Sequence, residues 1–177
     1  MDNLERIRRR SVVLRGVATL MLWATPLFCA LYWAFFNEFP EPMRARAAFP
    51  TPGELSAFNR LLCFAATLVP AAAAMEGFAA LRALFGLYAQ GELFSARNVA
   101  CYRRLGRALL YWAGGVFLYT PLASLAASAG MPPGQRHITV GLGSVELAAL
   151  FAGSTALVIS WVMDEGRHIE EDRALTI

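Results

Sequence analysis

Two carboxylates stand where an acid is costly to keep. Glu76 closes the apolar run from Leu61 to Met75, and Glu146 lies within the apolar stretch from Ile138 to Met163. An ionisable group beside or inside a hydrophobic segment of that length either pairs with an opposite charge or relays protons or cations. For Glu76, nearby Arg104 and Arg107 point to a structural ion pair at one end of its helix. Glu146 is expected about two turns inside its helix, with Ser144, Tyr119 and His137 as conceivable partners for a relay. No second acid is expected deep in the membrane, so packing or snorkelling is the stronger reading. Four arginines, Arg97, Arg103, Arg104 and Arg107, fall on one half of a helix whose other face carries Val99, Tyr102, Leu105 and Leu109. Such a face can meet anionic phospholipid headgroups or a regulatory ligand, and in many membrane proteins it serves only to fix topology.

Other chemistries lack their residues. Cys29, Cys63 and Cys101 are isolated, with no CxxC spacing, which gives neither a zinc site nor a disulfide exchanger. His137 and His168 are expected on opposite sides of the bilayer, which removes a bis-histidine haem site. The chain has no GxGxxG, P-loop, HExxH or GxSxG pattern. The expectation is a non-enzymatic protein with no catalytic residue, cofactor or metal. The aromatic positions Phe85, Tyr88, Phe94 and Tyr102 are read as packing positions.

The elements that must position these residues are long and apolar. Of 177 residues 57% are hydrophobic and 16% charged, against roughly 25% charged in soluble domains. The net charge of +3 is no nucleic-acid signal, because the arginines adjoin hydrophobic segments. The composition predicts an all-α, polytopic membrane protein in a single domain, with four spans at about 16–36, 61–81, 108–130 and 138–163. The first is too long for the core of a signal peptide and no A-x-A site follows it, so it is expected to stay as an anchor. Pro26, Pro70 and Pro121 should bend their helices. Asn37 to Arg60 is expected to be an irregular loop, and Met131 to His137 a tight turn.

Between spans two and three, Gly77 to Leu110 reads as an amphipathic helical hairpin. Gly91 breaks it, and Ser95 with Asn98 caps its second arm. In the fourth span Ser144, Ala148, Ala152, Ala156 and Ser160 recur at i+4, a small-residue stripe expected to face another helix, with Ala149 lying off it.

All sixteen basic residues are arginine, which with the many alanines suggests a GC-rich bacterial genome. Twelve of them fall in the N-terminus, central hairpin and tail, and four in the other two loops. The positive-inside rule then places both termini and the hairpin in the cytoplasm, in the inner membrane, with the arginines against the anionic leaflet.

Two stretches carry a resemblance. The central pattern Leu84-Phe85-x-x-Tyr88-x-x-Gly91-x-x-Phe94-Ser95-x-x-Asn98, followed by Arg103-Arg104-Leu105-Gly106, and the tail Glu165-Gly166-x-x-Ile169-x-Glu171 with Leu175-Thr176-Ile177 resemble a family of small four-helix bacterial integral membrane proteins catalogued as a domain of unknown function. Where that family's tail generally has an acidic residue before the leucine, this chain has Ala174. Members are often encoded beside a small helix-turn-helix regulator, so the resemblance implies a membrane partner of gene regulation that does not itself touch nucleic acid. The alternative is a small transporter or transporter subunit working as a homo-oligomer, with Glu146 and the proline-bent spans forming its path.

Overall fold

The computed structural model describes residues 3–44, 53–132, 134 and 136–175, with side chains from residue 4 to residue 167 within those bounds. Parts of the two predicted loops, and Thr176 and Ile177, lie outside the described residues. The described residues form five α-helices and no strand: α1 (Asn3–Ala34), the single turn α2 (Glu41–Arg44), α3 (Ala57–Gln90), α4 (Ala96–Ser128) and α5 (Ser144–Leu175). The four long helices are each long and apolar enough to cross a membrane.

The helices outrun the predicted spans. α3 has 34 residues, about 51 Å at 1.5 Å per residue, against a hydrocarbon core of about 30 Å. The predicted hairpin is therefore not a separate element. Its arms are the ends of α3 and α4, continuous with the apolar segments.

The long helices pack in chain order, α1 on α3, α3 on α4 and α4 on α5. This makes an open row with α3 and α4 at its centre. Of the most apolar window of α1 only 6% of residues are buried, against 28% for α4, so the outer helix leaves most of its side chains facing outward.

Reciprocal caps tie the antiparallel pair α1 and α3. Arg60 Nη1 donates to the carbonyl of Ala34 at 2.6 Å, at the C-terminus of α1, and Arg8 Nε donates to that of Ala89 at 3.1 Å, at the C-terminus of α3. Each cation meets the negative end of the other helix's dipole.

At the end of the row away from Gly91, Trp33, Phe36, Leu55, Cys63, Ala123 and Ala127 form a buried cluster. Asn37 closes it by pairing both ways with the Leu55 backbone, at 2.9 and 3.0 Å. Further in, Gly115 lies against the ring-bearing turn of α3; a Cβ there would sit 3.1 Å from Pro70 Cα. The described helical threonines, Thr19, Thr25, Thr67, Thr120 and Thr155, each donate to the carbonyl four residues back. That satisfies every such hydroxyl within its own helix, as a hydrocarbon environment demands.

Two expectations are corrected at α5. The helix begins at Ser144 rather than Ile138, because the preceding segment lies along α4: Ser124 Oγ accepts from Thr139 N at 3.0 Å, and Ser128 Oγ donates to the His137 carbonyl at 3.5 Å. The i+4 stripe follows the packed face only at Ala156 and Ser160. Ser144, Ala148 and Ala152 are exposed, while Ala149, Gly153, Ala156 and Ser160 are buried. At 100° per residue an i+4 row drifts around the helix by about 40° per step, so alternating 4-3-4 spacing follows the neighbour and strict i+4 spacing leaves it. Gly153 lies against Gly106 of α4.

Candidate functional site

The sequence of the α3–α4 turn builds a fixed tip. Gly91, at φ 86°, occupies the left-handed position that ends α3. Its N–H bonds the Tyr88 carbonyl and Glu92 N–H bonds the Leu87 carbonyl, both at 3.0 Å, which is the Schellman arrangement. Ser95 caps α4 by accepting from Asn98 N at 3.3 Å. The fully buried Asn98 then ties its side-chain amide to the Glu92 carbonyl at 2.8 Å. One turn behind the tip, the hydroxyls of Tyr88 and Tyr102 meet at 2.9 Å and link the two helices. On this frame Phe94 is 81% exposed, against the expectation that it packs.

The four hairpin arginines do not share one environment. Arg104 reaches across to α3 and holds Glu76 in a bidentate pair through Nε and Nη2, the latter at 2.9 Å from Oε2. Arg103 turns to α5 and meets Asp164 at 3.2 Å, and Asp164 also receives Arg167 at 3.3 Å. Arg97 pairs with Glu92 at 3.3 Å across the tip, with 70% of its side chain exposed. Arg107, between the two margins of the arginine face, is exposed. That face is wide enough for its edges to abut different helices.

Glu146 is not two turns inside its helix. With α5 starting at Ser144, it sits in the first turn, and its Oε2 accepts from Gly143 N at 2.9 Å. This is the N3 half of a capping box. The structure leaves it away from Glu76, at the opposite end of the row from the arginines. His137 and Tyr119 belong to other contacts: the His137 carbonyl meets Ser128, and Tyr119 packs against the aromatic cluster of α1.

A cleft of about 430 Å³ opens between α1, α3 and α4 beside the tip. Arg15, Arg82 and Arg97 line it with Gly86, Gln90 and Cys101, and no carboxylate is among its lining residues. Arg15 and Arg82 were not singled out from the sequence. Arg8, Ser11, Arg15 and Ala18 share the face of α1 that meets α3, and that phase was the available signal. Among the described residues no group of His, Cys, Asp or Glu is placed to hold a metal ion.

The geometry defines an all-helical chain with four membrane-crossing-capable helices and an arginine-rich end closed by a rigid turn. Residues 9–177 match the family described as "Protein of unknown function (DUF2975)". The chain belongs to that family. No curated protein and no solved structure matches it.

Proposed function

We propose that this is a non-enzymatic, multi-pass protein of the bacterial inner membrane, with both termini and the α3–α4 tip in the cytoplasm, where the tip contacts a small helix-turn-helix regulator. The orientation rests on the twelve-to-four arginine asymmetry. The observation that carries the contact is Phe94. A large aromatic side chain, 81% exposed, stands on a turn fixed by a Schellman motif, a serine cap and the Asn98 amide. A preorganised aromatic on a polar turn gives a partner apolar contact at small entropic cost. The choice of a regulator as partner follows from the family resemblance, and the end of α5 beside Arg103 and Asp164 is the second contact surface. The transporter alternative draws less support, since Glu76 is tied to Arg104 and Glu146 caps α5.

The test is capture of a small helix-turn-helix regulator, co-expressed with the full-length protein, from solubilised membranes. Phe94→Ser should abolish capture, while Phe151→Ser, at a residue 77% exposed on α5, should not. Reporter fusions should place residues 1, 92 and 177 inside and residues 45 and 134 outside. Capture that survives Phe94→Ser, an external signal at 92, or substrate flux in proteoliposomes would each count against this reading.

A further inference from the structure

We propose that the cleft between α1, α3 and α4 is a phosphate-binding site at headgroup depth, formed by Arg15, Arg82 and Arg97. Three observations converge on it. The first is convergence of charge: one arginine from each of three helices lines a single concavity of about 430 Å³ with no carboxylate in its wall.

The second is how the arginines are sorted. Arg103, Arg104 and Arg167 each hold a carboxylate. Arg15 and Arg82 hold none among the described residues, and Arg97 has only the half-open pair with Glu92. Guanidinium groups present paired donors that match phosphate oxygens, and two of the three at the cleft, Arg15 and Arg82, spend none of theirs on an acid among the described residues. Arg15 lies over Gly86 in the wall, its Cδ and Nε at contact distance, 4.0 Å, from where a Cβ would stand. Gln90 adds a neutral donor at the rim.

The third is depth. Arg15 is the last charge before the uncharged run from Gly16 to Asn37, so the cleft lies where a hydrocarbon core of about 30 Å would end. Phosphates of lipid headgroups lie at that level, and a soluble phosphate compound can reach it from the aqueous side.

The experiment uses the full-length protein in detergent, with phosphatidylglycerol and inorganic pyrophosphate as separate probes and phosphatidylcholine as the comparison. Native mass spectrometry should show saturable retention of phosphatidylglycerol over phosphatidylcholine if the source is lipid, or saturable pyrophosphate binding without lipid preference if it is soluble. Either pattern supports the site, provided Arg82→Gln with Arg97→Gln weakens it by about tenfold or more. Arg103→Gln with Arg107→Gln removes the same charge outside the cleft and should leave affinity within about twofold. A measurement that needs no variant guards against misfolding: phenylglyoxal should label Arg82 and Arg97 in the free protein and spare them when the retained probe is bound, with Arg9 and Arg10 labelled in both. Equal weakening by the two double variants, no saturable binding of either probe, or unchanged labelling of Arg82 and Arg97 would overturn the assignment.

Discussion

Gly106 of α4 and Gly153 of α5 face each other so closely that neither position has room for a methyl group. A Cβ on Gly106 would lie 2.9 Å from the Gly153 carbonyl oxygen, and one on Gly153 would lie 3.0 Å from that of Gly106. A backbone oxygen stands in the way on each side, with Leu157 also crowding Gly106 and Leu109 and Leu110 crowding Gly153, so a shifted side chain alone would not make room. Small residues give transmembrane helices this close approach, where dispersion does the work that hydrophobic exclusion does in water. Gly106→Ala and Gly153→Ala should each destabilise by about 1 to 3 kcal/mol. Gly114 has nothing within 4 Å of its Cβ position, and there alanine should stabilise by up to about 1 kcal/mol through helix propensity alone. Melting of the three variants in detergent separates the cases, and a lower melting temperature for Gly114→Ala would count against the packing argument.

The same interface sets the ranking of two alanines on α5. Ala149 is buried against α4, while Ala152 is exposed. Ala149→Leu should cost about 1 to 3 kcal/mol by overpacking, and Ala152→Leu less than about 0.5 kcal/mol. Thermal unfolding at high detergent-to-protein ratio measures both. A larger loss at Ala152 under those conditions would mean that its face is covered in the monomer.

Glu146 should behave as a cap. Gln keeps an oxygen able to accept from Gly143 N, so Glu146→Gln should change stability by less than about 0.5 kcal/mol. Glu146→Ala removes the acceptor and should cost about 1 kcal/mol. Stability and membrane yield of the two variants distinguish a cap from a titrating relay, because a relay would be disabled by glutamine as much as by alanine.

Gly91 should discriminate by backbone shape. At φ 86° a β-branched residue is strained, and Gly91→Val should cost about 1 to 2 kcal/mol. Gly91→Asn should cost less, since asparagine tolerates the left-handed region. The difference should persist from low salt to about 1 M, where surface charge is screened. A difference that vanishes with salt would point to electrostatics in place of conformation.

These residues also show what a sequence reveals. The tip was readable because its signals are local: a glycine at the end of one periodic run, and a serine three residues before asparagine at the start of the next, each decide their own turn. The four apolar helices were readable from length and composition. The start of α5 was not, because the groups that keep Ile138 to Gly143 out of the helix are the hydroxyls of Ser124 and Ser128, on another helix. That shift of six residues moved Glu146 from a buried position to a cap. The cleft was hidden for a similar reason: Arg15, Arg82 and Arg97 are far apart in sequence, and only the packing of α1 beside the α3–α4 pair brings them to one wall.

The open row has a consequence for how the chain is made. Each long helix packs chiefly on the long helix synthesised just before it, so no stage of assembly waits for the two ends of the chain to meet. Such low contact order favours fast, sequential folding, with α3 able to dock on α1, and then α4 on α3, before α5 has left the ribosome. The glycine contact that α5 makes with α4 closes last, and a chain stalled before residue 144 would already hold the reciprocal arginine caps and the whole basic cleft.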